Sequence, residues 1–142
     1  MNRAKARLGF LAVLTAALAA AAFAYIDSYS GFLTGTGDVD TFSFNTSAEL
    51  VEIEFNCFSE AVVEVDVTRD GKYLCTFGID GIADKARLVD IREDERGTGN
   101  VKVEDEDGKA LVRVVGGGEY YIAVRSVRGS AEWGFTWREA SE

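Results

Sequence analysis

Two strongly alternating runs near the C-terminus constrain this chain more than anything else in it. Gly116–Val127 reads Gly-Gly-Gly-Glu-Tyr-Tyr-Ile-Ala-Val-Arg-Ser-Val, and Trp133–Trp137 reads Trp-Gly-Phe-Thr-Trp. A period of two places Tyr120, Ile122 and Val124 on one face of a strand, and Trp133, Phe135 and Trp137 on one face of another. The polar link Arg128-Gly129-Ser130 between them predicts a β-hairpin. Burying the three aromatics of the second run removes about 500–600 Å² from water, worth about 12–15 kcal/mol before entropy is counted. The remaining strands must close over this pair.

The same alternation recurs upstream. Phe42 and Phe44 share a face in Gly37–Phe44, which Asn45-Thr46-Ser47 ends as a turn. In Leu50–Phe58, Val51, Ile53, Phe55 and Cys57 take the inner face, while Glu52, Glu54 and Asn56 take water. Val63, Val65 and Val67 repeat the pattern in Ala61–Thr68, with Glu64 and Asp66 outside. Arg69-Asp70-Gly71-Lys72 is a turn signal. A three-residue loop there pairs Val67 with Tyr73, Val65 with Cys75 and Val63 with Phe77, giving one apolar face and setting Cys75 on the side of Cys57. Ala86–Arg92 is a further strand of undecided orientation. Val101–Glu104 and Lys109–Val115 form a hairpin around Asp105-Glu106-Asp107-Gly108.

About eight strands with turns every 8–12 residues predict an all-β, antiparallel β-sandwich of jelly-roll-like order. The sandwich spans residues 38–138, after a lead-in segment or edge strand over 25–37, and a polar tail of 139–142 follows it. With no proline in the chain, edge protection falls to charges and glycines.

The first 24 residues are of another kind. Arg3, Lys5 and Arg7 precede a 17-residue uncharged run, Leu8–Ala24, which ends Ala22-Phe23-Ala24. This is the pattern of a signal peptide cut between Ala24 and Tyr25; a retained hydrophobic N-terminal helix is the alternative. Cleavage leaves 118 residues and moves the net charge from −9 to −12, since three cations and no acids are lost. Such an acidic chain points away from nucleic acid and anionic membranes, and toward a secreted or cell-surface setting. Export makes a Cys57–Cys75 disulfide the expectation, closing a loop of about 19 residues and contributing about 3 kcal/mol.

Histidine is absent. That excludes Ser-His-Asp and Cys-His nucleophiles and every His-ligated metal site. Carboxylate-pair hydrolysis remains chemically open, but the 24 acidic residues include no pair marked by spacing. The sequence therefore predicts a non-enzyme without a cofactor. Calcium is the one ion considered, at the strand acids Glu52, Glu54, Glu64 and Asp66 or at Asp38 and Asp40. Asp105–Gly108 lacks the first acid and the distal Glu of an EF-hand loop. Tyr121 and Arg125 share an outward face and are candidates for a binding surface.

Three stretches together resemble the bacterial pre-peptidase C-terminal domain, a secreted β-sandwich module. They are Gly37-Asp38-Val39-Asp40-Thr41-Phe42-Ser43-Phe44, Val63-Glu64-Val65-Asp66-Val67-Thr68-Arg69-Asp70-Gly71, and Gly118-Glu119-Tyr120-Tyr121-Ile122-Ala123-Val124-Arg125-Ser126. The resemblance implies a non-catalytic binding or accessory module whose partner is an extracellular protein, a polysaccharide or another copy of itself. Arg7-Leu8-Gly9-Phe10 and the apolar run after it also resemble the processing site of type IV pilins, with Leu14 where those proteins carry Glu. That likeness implies an extracellular filament subunit assembled through a retained N-terminal segment.

Overall fold

The computed structural model describes residues 23–94 and 100–140, and the expected N-terminal helix lies outside them. Ten strands follow one another: β1 (Phe23–Leu33), β2 (Val39–Thr46), β3 (Leu50–Cys57), β4 (Val62–Arg69), β5 (Lys72–Asp80), β6 (Arg87–Glu93), β7 (Val101–Glu106), β8 (Lys109–Val115), β9 (Gly118–Arg128) and β10 (Ala131–Ala140). They build two antiparallel five-stranded sheets, in the orders β1-β10-β3-β8-β7 and β2-β9-β4-β5-β6. The lead-in segment is thus an 11-residue edge strand, β1, which begins two residues before the expected cleavage point.

Period-two alternation makes the core. Val51, Ile53 and Phe55 of the first sheet face Val63, Val65, Val67 and Phe77 of the second, all essentially inaccessible to water. Phe55 meets Phe77 edge-on at 5.8 Å between centroids. Phe44 stacks on Trp137 at 3.9 Å and on Tyr120 at 5.0 Å, joining the two C-terminal runs through a third strand. Those runs do not form a hairpin. β9 pairs with β2 and β4, β10 pairs with β1 and β3, and the chain crosses from one sheet to the other at Gly129, whose φ is +85°. The Ser126 hydroxyl donates to the Gly129 carbonyl and closes this corner. The aromatics of β10 and the apolar face of β9 consequently meet across the sandwich.

The β4–β5 register also differs from expectation. Asp70 and Gly71, both with positive φ, make a two-residue turn that pairs Arg69 with Lys72. A bulge then shifts the ladder by one residue, so that Val67 opposes Cys75, Val65 opposes Phe77 and Val63 opposes Ile79. The bulge restores the parity that keeps all of these inward. Asp107 and Gly108 make the same kind of turn between β7 and β8. In β6, Leu88 packs on the core while Ile91 is exposed, and Asp90 takes φ +51° between them.

No disulfide joins Cys57 and Cys75. Cys57 ends β3 beside Ser59, and Gly81, at the end of β5, packs on that same corner by donating to the Ala61 carbonyl. Cys75 lies six residues before Gly81 in β5, about 20 Å along an extended strand. A disulfide needs Cα atoms within about 7 Å. Alternation brought both thiols inward but set them at opposite ends of the sandwich.

Candidate functional site

The predicted pair, Tyr121 and Arg125, lies on the outer face of the second sheet. Tyr121 is 44% exposed between Ser43 and Thr68 on the flanking strands. Arg125 stands four residues along, about 13 Å away, and its Nη2 donates to Glu64 Oε1 at 3.0 Å. Ala123 lies between them on the same face. The structure places the two side chains together on one surface but commits the guanidinium to its neighbour.

The acidic residues separate by sheet. Glu64 and Asp66 belong to the second; Asp66 accepts from the Thr76 hydroxyl at 2.6 Å. Glu52 and Glu54 lie on the outer face of the first, where cations answer them. Arg138 Nη1 reaches Glu52 at 3.0 Å and Glu54 at 3.3 Å, Arg113 reaches Glu52 at 3.2 Å, and Lys109 reaches Glu54 at 3.5 Å. Glu52 is only 8% exposed, a burial that two guanidiniums make tolerable. Among the described residues, no cluster of three His, Cys, Asp or Glu side chains is placed to hold a metal ion. Asp38 spends its carboxylate on Thr34, accepting from the backbone N–H at 2.9 Å and the hydroxyl at 3.1 Å, and these bonds hold it below the ordinary aspartate range. Asp105 caps its own turn through Gly108 N–H and accepts from Leu88 N–H, and Lys85 pairs with Asp107 at 3.5 Å across the depression beside it.

A different feature stands on the outer face of the first sheet. Gly134 lies mid-strand in β10, facing outward between Ser30 of β1 and Asn56 of β3. A Cβ there would meet the Tyr29 carbonyl at 3.1 Å and the Phe58 ring at 3.2 Å. Gly134 lines a cleft of about 300 Å³, bounded also by Ser28, Ser30, Glu54, Asn56, Phe58 and Thr136. Phe58 is 60% exposed; its backbone N–H donates to Glu132 O and extends the β3–β10 ladder, so its ring stands on the outer face over the glycine. The side chains of Ser30, Asn56 and Thr136 make no hydrogen bond among the described residues. The cleft therefore offers two hydroxyls, one amide and one aromatic face, with its only carboxylate neutralised by Arg138 and Lys109.

Sequence reasoning did not reach this site, because its residues come from three strands distant in the chain. One signal was present. A glycine inside an alternating aromatic run, Trp-Gly-Phe-Thr-Trp, marks a place where something approaches the backbone closely. Cys57 and Cys75 take no part in the cleft, and Tyr25 lies farther along β1, opposite Arg138. No protein-family model matches the chain, and no curated protein matches it.

Proposed function

We propose that this chain is an exported, non-catalytic β-sandwich module that binds a ligand in the Gly134 cleft. The observation that carries the proposal is the free hydrogen-bonding capacity of Ser30, Asn56 and Thr136 beneath the exposed Phe58 ring. These groups converge on a hollow that a single methyl group would narrow. The strand order supports a jelly roll. Without β6 and β7, the remaining eight strands run β1-β10-β3-β8 and β2-β9-β4-β5, with β6 and β7 each widening one sheet at its edge. Non-catalytic action rests on the carboxylates at the cleft: Glu54 is ion-paired, and its neighbour Glu52 lies between two arginines. Neither has the free partner that acid–base hydrolysis needs.

The test incubates the natively exported protein with soluble polymers, both polysaccharide and polypeptide, and follows protein retention and polymer length together. Retention with unchanged polymer length, weakened by about tenfold or more in Phe58→Ser, is expected. Polymer shortening that disappears in Glu54→Gln would overturn the non-catalytic reading, and retention indifferent to Phe58→Ser would overturn the placement of the site.

A further inference from the structure

We infer that the occupant of the Gly134 cleft is a neutral saccharide, one ring of which lies against Phe58; this rests on the binding role proposed above. The chemistry of the lining selects it. Ser30 and Thr136 each present a hydroxyl that both donates and accepts, and Asn56 presents an amide that does the same through separate atoms. A ligand satisfying all three must itself carry several closely spaced groups of mixed donor and acceptor character, which is what a sugar's hydroxyls provide. An extended peptide offers its N–H and C=O groups in a fixed alternation along one line, suited to a free strand edge. β10, which floors the cleft, has no free edge, since β1 and β3 occupy both its sides, and the open edge of β1 lies on the side away from β10.

The aromatic partner points the same way. Phe58 has no polar atom, and its exposed ring faces a hollow floored by the Gly134 backbone. The C–H face of a pyranose covers such a ring while leaving its hydroxyls at the rim for the polar groups. Charge excludes the alternatives. The cleft's one carboxylate, Glu54, is balanced by Arg138 at 3.3 Å and Lys109 at 3.5 Å, so the site has no net charge to attract an ionic ligand. A chain with a net charge of −9 repels polyanions at longer range. The row Ser30–Gly134–Asn56 crosses three adjacent strands, about 10 Å across, a width that fits one sugar ring with its neighbours continuing along the face.

Native electrophoresis of the exported protein through gels containing mixed-linkage β-glucan, xylan, galactomannan, dextran or gelatin tests this. The acidic protein migrates freely in an empty gel, and binding to an immobile polymer slows it. Retardation by at least one of the four polysaccharides is expected, weakened by about tenfold or more in Phe58→Ser and lost in Gly134→Ala, but kept in Phe58→Tyr and in Tyr121→Ser. Gelatin should not retard it. Retardation by gelatin alone, sensitive to Phe58→Ser, would overturn the saccharide while leaving a binding cleft in place. Free migration through all five gels would overturn the saccharide outright, and polysaccharide retardation that Phe58→Ser and Gly134→Ala leave intact would overturn its placement. Circular dichroism of each variant separates loss of binding from loss of fold.

Discussion

Individual side chains show how closely this sandwich is filled. Trp133 is fully buried, and its indole N–H has no partner among the described residues. Gly31, its cross-strand neighbour, leaves no room for a methyl group: a Cβ there would lie 2.8 Å from Nε1 and 2.5 Å from Asp40 Oδ2. Gly31→Ala should therefore cost about 1–3 kcal/mol, whereas Gly35→Ala, with open space around it, should change the urea midpoint little. Equal midpoints for the two variants would contradict this packing. The thiols offer a second test. Burial pushes Cys75 well up, with Glu93 and Asp66 adding to the shift, and burial also raises the half-buried Cys57. Alkylation of the native protein should modify Cys57 slowly and Cys75 only on unfolding; a mass gain of about 2 Da on reduction would show instead that the two are joined. Asp38 sets a pH dependence. Its folded carboxyl lies below the ordinary value of 3.8, so ionised Asp38 stabilises the fold at neutral pH, and the contribution fades as pH falls through that lower folded value. The melting temperatures of wild type and Asp38→Asn should differ at pH 7 and converge at about pH 2. A gap of the same size at both would assign the effect to something other than charge.

Among the elements, the tip of the β4–β5 hairpin is clamped to the β8–β9 link. Arg69 Nη1 donates to Val115 O at 2.7 Å, Asp70 Oδ1 accepts from Glu119 N–H at 2.9 Å, and the Tyr120 hydroxyl donates to Gly116 O at 2.6 Å. Removing the guanidinium in Arg69→Met orphans a part-buried carbonyl and should cost about 1–3 kcal/mol, read from the urea midpoint; an unchanged midpoint would show the clamp to be idle. The strand faces were legible from the sequence because alternation states them directly. Phe42, Phe44, Val51, Val63 and Tyr120 all turn toward the core as their spacing predicts. Which sheet each strand joins was not legible, since a polar turn such as Arg128–Ser130 serves a hairpin and a corner alike. The β4–β5 pairing failed for a related reason. Parity identified the apolar face, but a tight Asp70-Gly71 turn followed by a bulge reaches the same parity as a longer loop. The acids of β3 and β4 lie apart because the two strands belong to different sheets.

At the level of the whole molecule, the two outer faces differ in kind. On the outer face of the second sheet, Arg125, on the same strand as Tyr121, is paired with Glu64. The outer face of the first carries a charge network on β3, β8 and β10, and beside it a neutral hollow centred on one glycine. Seen from the sequence, the hollow was a single glycine in a strand; its walls required the topology that brings Ser30, Asn56 and Thr136 onto neighbouring strands. The most direct test is the amide spectrum of the isotope-labelled protein during titration with a soluble neutral polysaccharide. Binding in the Gly134 cleft predicts that the resonances shifting first and farthest belong to Ser30, Asn56, Phe58, Gly134 and Thr136. Shifts gathered instead on Tyr121, Ala123 and Arg125 would place binding on the opposite face and contradict it.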